Sequence, residues 1–295
     1  EYKLFEYIGS PEAEDVIIAM GSATGTIEET INHMNQNGAN VGAIRVHLYR
    51  PFSAEDLLEA LPSSAKRIAV LDRTKEPGAP GEPLYLDVLE AIHKTGRNME
   101  IGPSQETTVI GGRYGLSSKE FTPSMVKAVF EHLQNKGTHD FTVGINDDVT
   151  HRSNQVDESI NSEPKGLKQC KFWGYGSDGT VSANKNSIKI IGEQTGLYVQ
   201  GHFVYDSKKS GGVTISHLRF GEEPIRSEYE IQAADFIALH KPSYIGRYDI
   251  LENIKEEGTF LINSQWKPEE VMRHLTEDMQ QTIKEKNVNV YTIDA

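Results

Sequence analysis

Runs of apolar residues of strand length alternate with amphipathic stretches along the first half of the chain. Short β-branched runs bounded by turn residues indicate buried strands, and apolar positions recurring every three or four residues indicate helices. The pattern predicts strands at 15–20, 41–48, 67–71, 107–110 and 141–145. It predicts helices at 26–34, 54–61, 85–94 and 123–134. Alternating strands and helices predict a mostly parallel sheet with helices on both faces.

Capping residues mark several helix ends. Ser53 stands where an N-cap is expected before the helix at 54–61, and Thr122 with Pro123 opens the helix that runs to about residue 134. Gly38 ends the first helix. These signals support the predicted element order.

One edge of this sheet is expected to gather polar and glycine-containing turns. Ligands on parallel sheets usually bind at the carboxyl ends of the strands. That edge would hold residues 21–25, 50–52, 73–75 and 111–114. Residues 21–25 could bind an anion before a helix, but G-S-A-T-G has neither the dinucleotide nor the P-loop spacing. We interpret this turn as structural.

The second half of the chain predicts a further α/β unit. Its strands are predicted at 169–175, 197–205, 213–220, 228–230, 235–240, 259–263 and 288–293. Its helices are predicted at 180–193, 244–253 and 268–284. The chain is therefore expected to be α/β, with two consecutive α/β domains built on mostly parallel sheets.

A polar stretch separates the two halves. Residues 147–168 have almost no apolar periodicity, which is typical of a connector. We predict a boundary near Pro164, with a first domain at 1–150, a linker at 151–168 and a second domain at 169–295. Whether the second domain is truncated at its C-terminus stays open. The chain starts without an initiator Met or a leader pattern, which indicates a piece of a longer protein.

Composition narrows the functional classes. The chain has 295 residues, 37% of them hydrophobic and 25% charged, so each half can build a core. The net charge of −13 argues against broad nucleic-acid binding. Cys170 is the single cysteine, which excludes a disulfide or a cysteine-based cluster within this chain and fits a reducing, cytoplasmic compartment. No apolar run reaches the ~20 residues of a membrane span.

The stretch K-F-W-G-Y-G-S-D-G-T at 171–180 contains the strongest ligand signal. Gly174, Gly176 and Gly179 have G-x-G-x-x-G spacing between a predicted strand and a helix that begins near Thr180. Such a turn lets phosphates approach backbone N–H groups at the positive end of a helix. A tight structural turn explains the spacing about equally well.

A second loop supplies positive charge. Residues 206–212, D-S-K-K-S-G-G, contain Lys208, Lys209 and Ser210 beside two glycines. Phosphate recognition combines directional donors with compact cations, and the glycine turn together with this loop offers both, including the hydroxyls of Ser177 and Thr180. The alternative is a turn plus a solvated surface loop.

Other residues give weaker evidence of a functional site. Asp147 and Asp148 are adjacent and would point to opposite faces of a strand. None of the ten histidines has a partner at i+4 as in a zinc-protease motif. Cys170 lies in an apolar strand and is predicted to be an inert thiol. We assign no catalytic residue and no metal ligand to this chain.

Several long segments resemble one family, the pyruvate:ferredoxin (flavodoxin) oxidoreductases or pyruvate synthases. The segments include L-Y-R-P-F at 48–52, A-V-L-D-R-T-K-E-P-G at 69–78, G-G-R-Y-G-L-S-S-K-E-F-T-P at 111–123, F-T-V-G-I-N-D-D-V-T-H at 141–151, K-F-W-G-Y-G-S-D-G-T-V-S-A-N-K-N-S-I-K-I-I-G at 171–192 and Y-D-S-K-K-S-G-G-V-T-I-S-H-L-R-F-G at 205–221. The resemblance covers essentially the whole chain. It implies a transketolase-C-terminal-like domain followed by a gamma-subunit-like, Rossmann-type domain.

The resemblance also implies a function. The family oxidatively decarboxylates pyruvate on thiamine diphosphate, passes electrons through [4Fe–4S] clusters to ferredoxin or flavodoxin, and releases acetyl-CoA. The thiamine diphosphate pocket and the cluster cysteines lie outside this chain, so the fragment should be inactive alone. Its expected partners are the remaining domains of the enzyme, a second copy in a homodimer, and the electron acceptor, with no nucleic acid and no membrane.

Coenzyme A is the ligand that the resemblance assigns to the second domain. The family's contact motif falls on Gly176, Ser177, Asp178, Gly179 and Thr180, and its following lysine on Lys208, with Lys209 and Ser210 beside it. Gly179 and Thr180 would present backbone donors, and Lys208 would neutralise a phosphate of the ADP moiety. Asp178 would accept from a ribose or adenine donor, or fix the turn.

Two other hypotheses stay beside this one. The chain could be an assembly module without ligand binding of its own, in which the polar loops at 72–81 and 111–121 face other domains. A free-standing NAD-binding protein is the weakest alternative, because no acid stands near 197–200 where the second strand should carry one.

Overall fold

A computed structural model describes residues 2–96, 102–104, 106–147, 149–157, 160–206 and 211–295 of the chain. These residues form two compact units. The first contains the chain up to Glu163 together with the short segment Arg226–Tyr229, and the second contains Pro164–Ile225 and Glu230–Ala295. Residues 151–163, which the sequence places in a connector, belong to the first unit.

The first unit is built on a seven-stranded sheet. Its strands are β1 (Phe5–Gly9), β2 (Asp15–Met20), β3 (Val41–Val46), β4 (Arg67–Asp72), β5 (Thr108–Arg113), β6 (Phe141–Val143) and β7 (Ser153–Asn154). They lie in the order β1-β3-β2-β4-β5-β6-β7. β1 is antiparallel to β3, and the other neighbours are parallel.

Helices cover both faces of this sheet. They are α1 (Ala23–Gln36), α2 (Ala54–Ala60), α3 (Pro83–Glu90), which a π-helical segment Ala91–Gly96 continues, and α4 (Pro123–Gln134), with a 3-10 turn at Leu116–Ser118. Alternate residues of β2 pack into different cores: Ile17 lies with α1 and α4, whereas Ile18 lies with α2 and α3. The predicted sheet with helices on both faces is confirmed.

The second unit has a six-stranded sheet. Its strands are β8 (Lys168–Tyr175), β9 (Tyr198–Tyr205), β10 (Val213–Gly221), β11 (Ala234–Leu239), β12 (Ile254–Asn263) and β13 (Asn289–Ile293). They lie in the order β13-β12-β11-β8-β10-β9. β8, β11, β12 and β13 are parallel, and β10 is antiparallel to both of its neighbours. The α/β fold class is therefore confirmed for both units.

Three helices accompany this sheet: α5 (Thr180–Thr195), α6 (Pro268–His274) and α7 (Glu277–Glu285). The prediction of one helix over 268–284 is wrong, because Thr276 accepts a hydrogen bond from Met279 N and begins a new helix. The helix predicted at 244–253 is also wrong. Its place is taken by a 3-10 turn at Pro242–Tyr244 and further turns that include Gly246 at φ 75°.

Two more predictions fail in the described residues. Residues 228–230 form no strand, since 226–229 pack against the first unit instead of pairing with a sheet. β1 is missing from the prediction, and α1 begins at Ala23, three residues earlier than predicted. Within the described ranges, the helices are all too short or too polar to cross a membrane.

Candidate functional site

The glycine turn of the second unit connects the central strand β8 to α5. Asp178 holds it closed from inside: one carboxylate oxygen accepts from Thr180 N at 2.7 Å, and the other accepts from Tyr175 N at 2.8 Å and from the Thr180 hydroxyl at 2.8 Å. Of the two roles predicted for Asp178, these bonds correspond to fixing the turn. The Thr180 N–H, which is predicted to be a donor for the ligand, donates to Asp178 in this structure.

Gly179 occupies the outer corner of the turn. It is exposed, has a left-handed backbone at φ 88°, and would carry a Cβ that meets no atom within 4 Å. A residue with a side chain would be strained there, so glycine suits the position. In the described part of the chain the Gly179 N–H has no hydrogen-bond partner. This donor points from the start of a 16-residue helix whose first turn carries no acidic side chain.

The Thr180 hydroxyl links the turn to His240. Its oxygen lies 2.7 Å from His240 Nδ1 while it donates to Asp178. Since that hydroxyl has only one proton, we assign the proton of the second bond to Nδ1 of the ring. Burial lowers the pKa of His240, with the charge of Asp178 acting in the opposite direction. The ring therefore binds the turn as a neutral donor.

Lys241 and Tyr244 stand beside this turn, and the sequence analysis missed both. Lys241 Nζ lies 3.6 Å from the centroid of the Tyr175 ring and 5.8 Å from that of Tyr244. They follow β11, the parallel neighbour of β8, with Leu239 in register with Trp173. The carboxyl ends of adjacent parallel strands meet at one edge. Applying that rule to H-K-P after β11 would have found them.

The loop at 206–212 contacts the glycine turn through Gly212. Gly176 N donates to Gly212 O at 2.8 Å, which joins the described end of the loop at 206–212 to the glycine turn. Lys208, Lys209 and Ser210 lie outside the described residues. Ser177 is exposed, as Gly179 is, and has a left-handed backbone at φ 77°.

The first unit has its own cavity at the carboxyl edge of its sheet. A cavity of about 350 Å³ is lined by Met20, Gly21, Ser22, Tyr49, Leu71, Asp72, Arg73, Thr74, Pro83 and Tyr114. It gathers residues from three of the four predicted segments, with Tyr49 in place of 50–52. Asp72 is committed to structure there, since its carboxylate accepts from Leu84 N and Tyr85 N at 3.1 Å.

Two further features bear on metal and thiol chemistry. In the ranges that the structure covers, no three His, Cys, Asp or Glu side chains lie together as a metal site would need. Burial raises the pKa of the Cys170 thiol to about 12, which keeps it protonated and unreactive near neutral pH.

The fold and the turn together define a pair of α/β units, the second of which has a glycine turn at the N-terminus of a helix, a geometry that favours anions. Two family models agree with that division: "Pyruvate:ferredoxin oxidoreductase core domain II" matches residues 13–115, and "Pyruvate ferredoxin/flavodoxin oxidoreductase" matches residues 169–295. The chain belongs to the pyruvate:ferredoxin/flavodoxin oxidoreductase family.

Known proteins similar to this chain are much longer. The chain is 59% identical over 295 residues to a pyruvate:ferredoxin oxidoreductase of Moorella thermoacetica and 53% identical over 296 residues to a pyruvate-flavodoxin oxidoreductase of Trichormus variabilis. Each match covers 100% of this chain and 24% of the relative. The chain thus spans about a quarter of the length of these relatives.

A solved structure is similar to part of the chain. A pyruvate oxidoreductase subunit of Thermotoga maritima is 20% identical, with 44% of this chain and 64% of that chain covered and a TM-score of 0.33. A score this low carries no argument about function.

Proposed function

We propose that this chain is part of an enzyme that oxidatively decarboxylates pyruvate with coenzyme A to acetyl-CoA and CO2, and that its second unit supplies part of the coenzyme A site. Thiamine diphosphate and [4Fe–4S] clusters would be held by the rest of the protein. Ferredoxin or flavodoxin would accept the electrons, as the names of the relatives indicate for those proteins. We place the enzyme in the cytoplasm as a homodimer.

The observation that carries the proposal is the uncommitted donor at the start of α5. The Gly179 N–H lies at a helix N-terminus, where a diphosphate is favoured by both hydrogen bonding and the helix dipole. Asp178 would repel phosphate if its carboxylate were free. Three donors within the turn bind that carboxylate and stabilise its negative charge there.

Gly176, Ser177, Gly179 and Lys208 are the residues we propose to contact coenzyme A, with Asp178 and Thr180 shaping the turn and Lys209 and Ser210 beside Lys208. Calorimetric titration of coenzyme A into the chain tests this. We expect saturable binding that Lys208→Ala weakens by about tenfold, the equivalent of ~1.4 kcal/mol. Lys189→Ala is the matched control, because Lys189 is an exposed lysine of α5 that pairs with Glu193.

A well-folded chain that binds no coenzyme A would leave the second candidate role, assembly of the larger enzyme. Arg73 favours that role for the first unit. It lies on the loop after β4, its Nε donates to Gly115 O at 3.1 Å, and in the described residues no carboxylate pairs with it. Arg73→Glu in the full-length enzyme should then disturb the dimer in size-exclusion chromatography without unfolding the domain. An unchanged dimer would count against assembly through this loop.

A further inference from the structure

The segment His240–Tyr244 returns to the glycine turn from the neighbouring strand. His240 N donates to Trp173 O at 2.9 Å, which continues the pairing of β11 with β8 up to the turn. The next residue along the chain, Lys241, is half-buried against Tyr175, the residue just before Gly176. The segment therefore brings a positive charge to the start of α5 by a route independent of the lysine loop at 206–212.

In the described residues, Lys241 lacks the carboxylate partner that three other lysines of the second unit have. Lys168 and Lys255 pair with Asp235, and Lys189 pairs with Glu193. Within the described ranges, no carboxylate lies within 4.0 Å of Lys241 Nζ, whose contacts are the faces of two tyrosine rings. A cation–π contact of this kind is weakly stabilising at a partly exposed site. It holds the ammonium group in place without neutralising it.

Tyr244 adds a donor that lacks a partner. Its residue is 5% exposed, and its hydroxyl is buried with no hydrogen-bond partner in the described part of the chain. Buried hydroxyls are rarely left unpaired, because burying one without a hydrogen-bond partner is unfavourable. Burial raises the pKa of Tyr244, and the nearby charges of Tyr248, Asp178 and Tyr175 raise it further. The phenol is therefore neutral and available to donate.

We propose that Lys241 is a second cation of the coenzyme A site, contacting the diphosphate next to the glycine turn, and that the Tyr244 hydroxyl donates to the same group. The inference rests on the proposed function. The diphosphate is the part of the ligand that a helix N-terminus favours, because its compact oxyanions can accept hydrogen bonds from the backbone N–H groups there. Lysine acts on such a group as a point charge and needs no planar geometry. The 3′-phosphate is left to other cations.

Ligands that differ in their phosphates test the assignment. Coenzyme A has the diphosphate and the 3′-phosphate, dephospho-coenzyme A lacks the 3′-phosphate, and pantetheine lacks both. We expect Lys241→Ala to weaken calorimetric binding of the first two by the same factor, about tenfold. Pantetheine binding should not change. Lys241→Arg should restore most of the affinity, Tyr244→Phe should cost about threefold, and Lys189→Ala should cost nothing.

Each contrary result has a distinct meaning. If the wild-type chain binds coenzyme A and Lys241→Ala binds it equally well, this inference is wrong and the proposed function stands. If Lys241→Ala instead loses only the preference for coenzyme A over dephospho-coenzyme A, Lys241 contacts the 3′-phosphate and the assignment to the diphosphate is wrong. If the folded wild-type chain binds none of the ligands, the proposed site and this inference fail together. Circular dichroism of each variant ensures that the comparison is made between folded proteins.

Discussion

Two strand-to-helix turns of this chain, residues 21–25 and 174–180, have similar sequences and different surroundings. Both follow a buried parallel strand, contain glycines and open a long helix. In the first unit, Gly25 already lies inside α1, and a Cβ there would meet Arg226 O at 2.8 Å. In the second unit, Gly179 lies outside α5 and a Cβ there would meet nothing. One glycine serves close packing, and the other serves an open turn.

The acidic side chains near the two turns differ in the same way. In the first unit, Glu29 of α1 is buried and accepts hydrogen bonds from the hydroxyls of Ser162 at 2.7 Å, Ser227 at 2.5 Å and Tyr229 at 2.6 Å. The acid thus fastens 226–229 to the helix. In the described residues of the second unit, the hydrogen bonds of the acid Asp178 all lie within its own turn. Similar turn sequences therefore serve packing in one unit and are free to bind a ligand in the other.

The largest expected effect comes from removing the carboxylate that anchors 226–229. Glu29→Ala leaves three buried hydroxyls without their charged acceptor, and we expect it to destabilise the first unit by about 3–5 kcal/mol. Urea unfolding followed by the fluorescence and circular dichroism of the whole chain measures this. Glu28→Ala is the matched control, because Glu28 is a neighbouring acid that pairs with Arg45 and Arg226 at a partly exposed site. Equal losses of stability in the two variants would mean that the three hydroxyl bonds to Glu29 contribute no more than the ion pairs of Glu28.

The next effect contrasts the two glycines directly. Gly25→Ala forces α1 away from the Arg226 backbone, and we expect a loss of about 1–3 kcal/mol, the usual cost of overpacking. Gly179→Ala has room for its methyl group and pays only for the left-handed backbone, roughly 1–2 kcal/mol. Thermal unfolding distinguishes them best when combined with coenzyme A titration. Only Gly179→Ala should also weaken binding, and a binding loss in Gly25→Ala would break the comparison.

The strands and helices of the parallel cores could be predicted from the sequence, because they depend on the local pattern of apolar and capping residues. The apolar run of β2 and the N-cap Ser53, whose side chain accepts from Asp56 N, follow from residues near them in the chain. The role of 226–229 could not be predicted in this way. Its partner Glu29 is about 200 residues away, and nothing in R-S-E-Y distinguishes a segment that pairs with a sheet from one that packs on a helix.

The candidate site, too, could be predicted only where its signal is local in the sequence. The glycine spacing identified the turn between β8 and α5, because that signal is local. Lys241 and His240 reach the turn only through the parallel pairing of β11 with β8. That pairing depends on strand order, which the alternation of strands and helices leaves undetermined. Long-range register is thus the information that the sequence pattern lacks.

A smaller effect is expected from weakening the acid of the second turn. Asp178→Asn keeps one oxygen acceptor but loses the charge that strengthens its three bonds, and we expect a stability loss of about 1–2 kcal/mol together with weaker coenzyme A binding. Ser22→Ala is its counterpart in the first unit. The Ser22 side chain makes no capping bond in the described chain, so its loss should change stability by less than about 0.5 kcal/mol. A larger loss in Ser22→Ala would show that the first turn also depends on its polar side chain.

The smallest effect is a pH dependence confined to the second turn. Burial lowers the pKa of His240 in the folded protein, so below about pH 6.5 the unfolded chain binds more protons at this residue than the folded chain does. The contribution of His240 to stability is therefore fully present above pH 6.5 and is lost as the pH falls towards its folded pKa. His240→Gln should flatten the pH dependence of unfolding between pH 7 and 5, by less than Asp178→Asn costs at pH 7.

Coenzyme A should bind the wild type more weakly over the same pH interval if Thr180 needs the neutral ring of His240 as its partner. A variant with an unchanged pH profile would mean that His240 titrates alike in both states, and that the bond to Thr180 does not contribute to holding the turn.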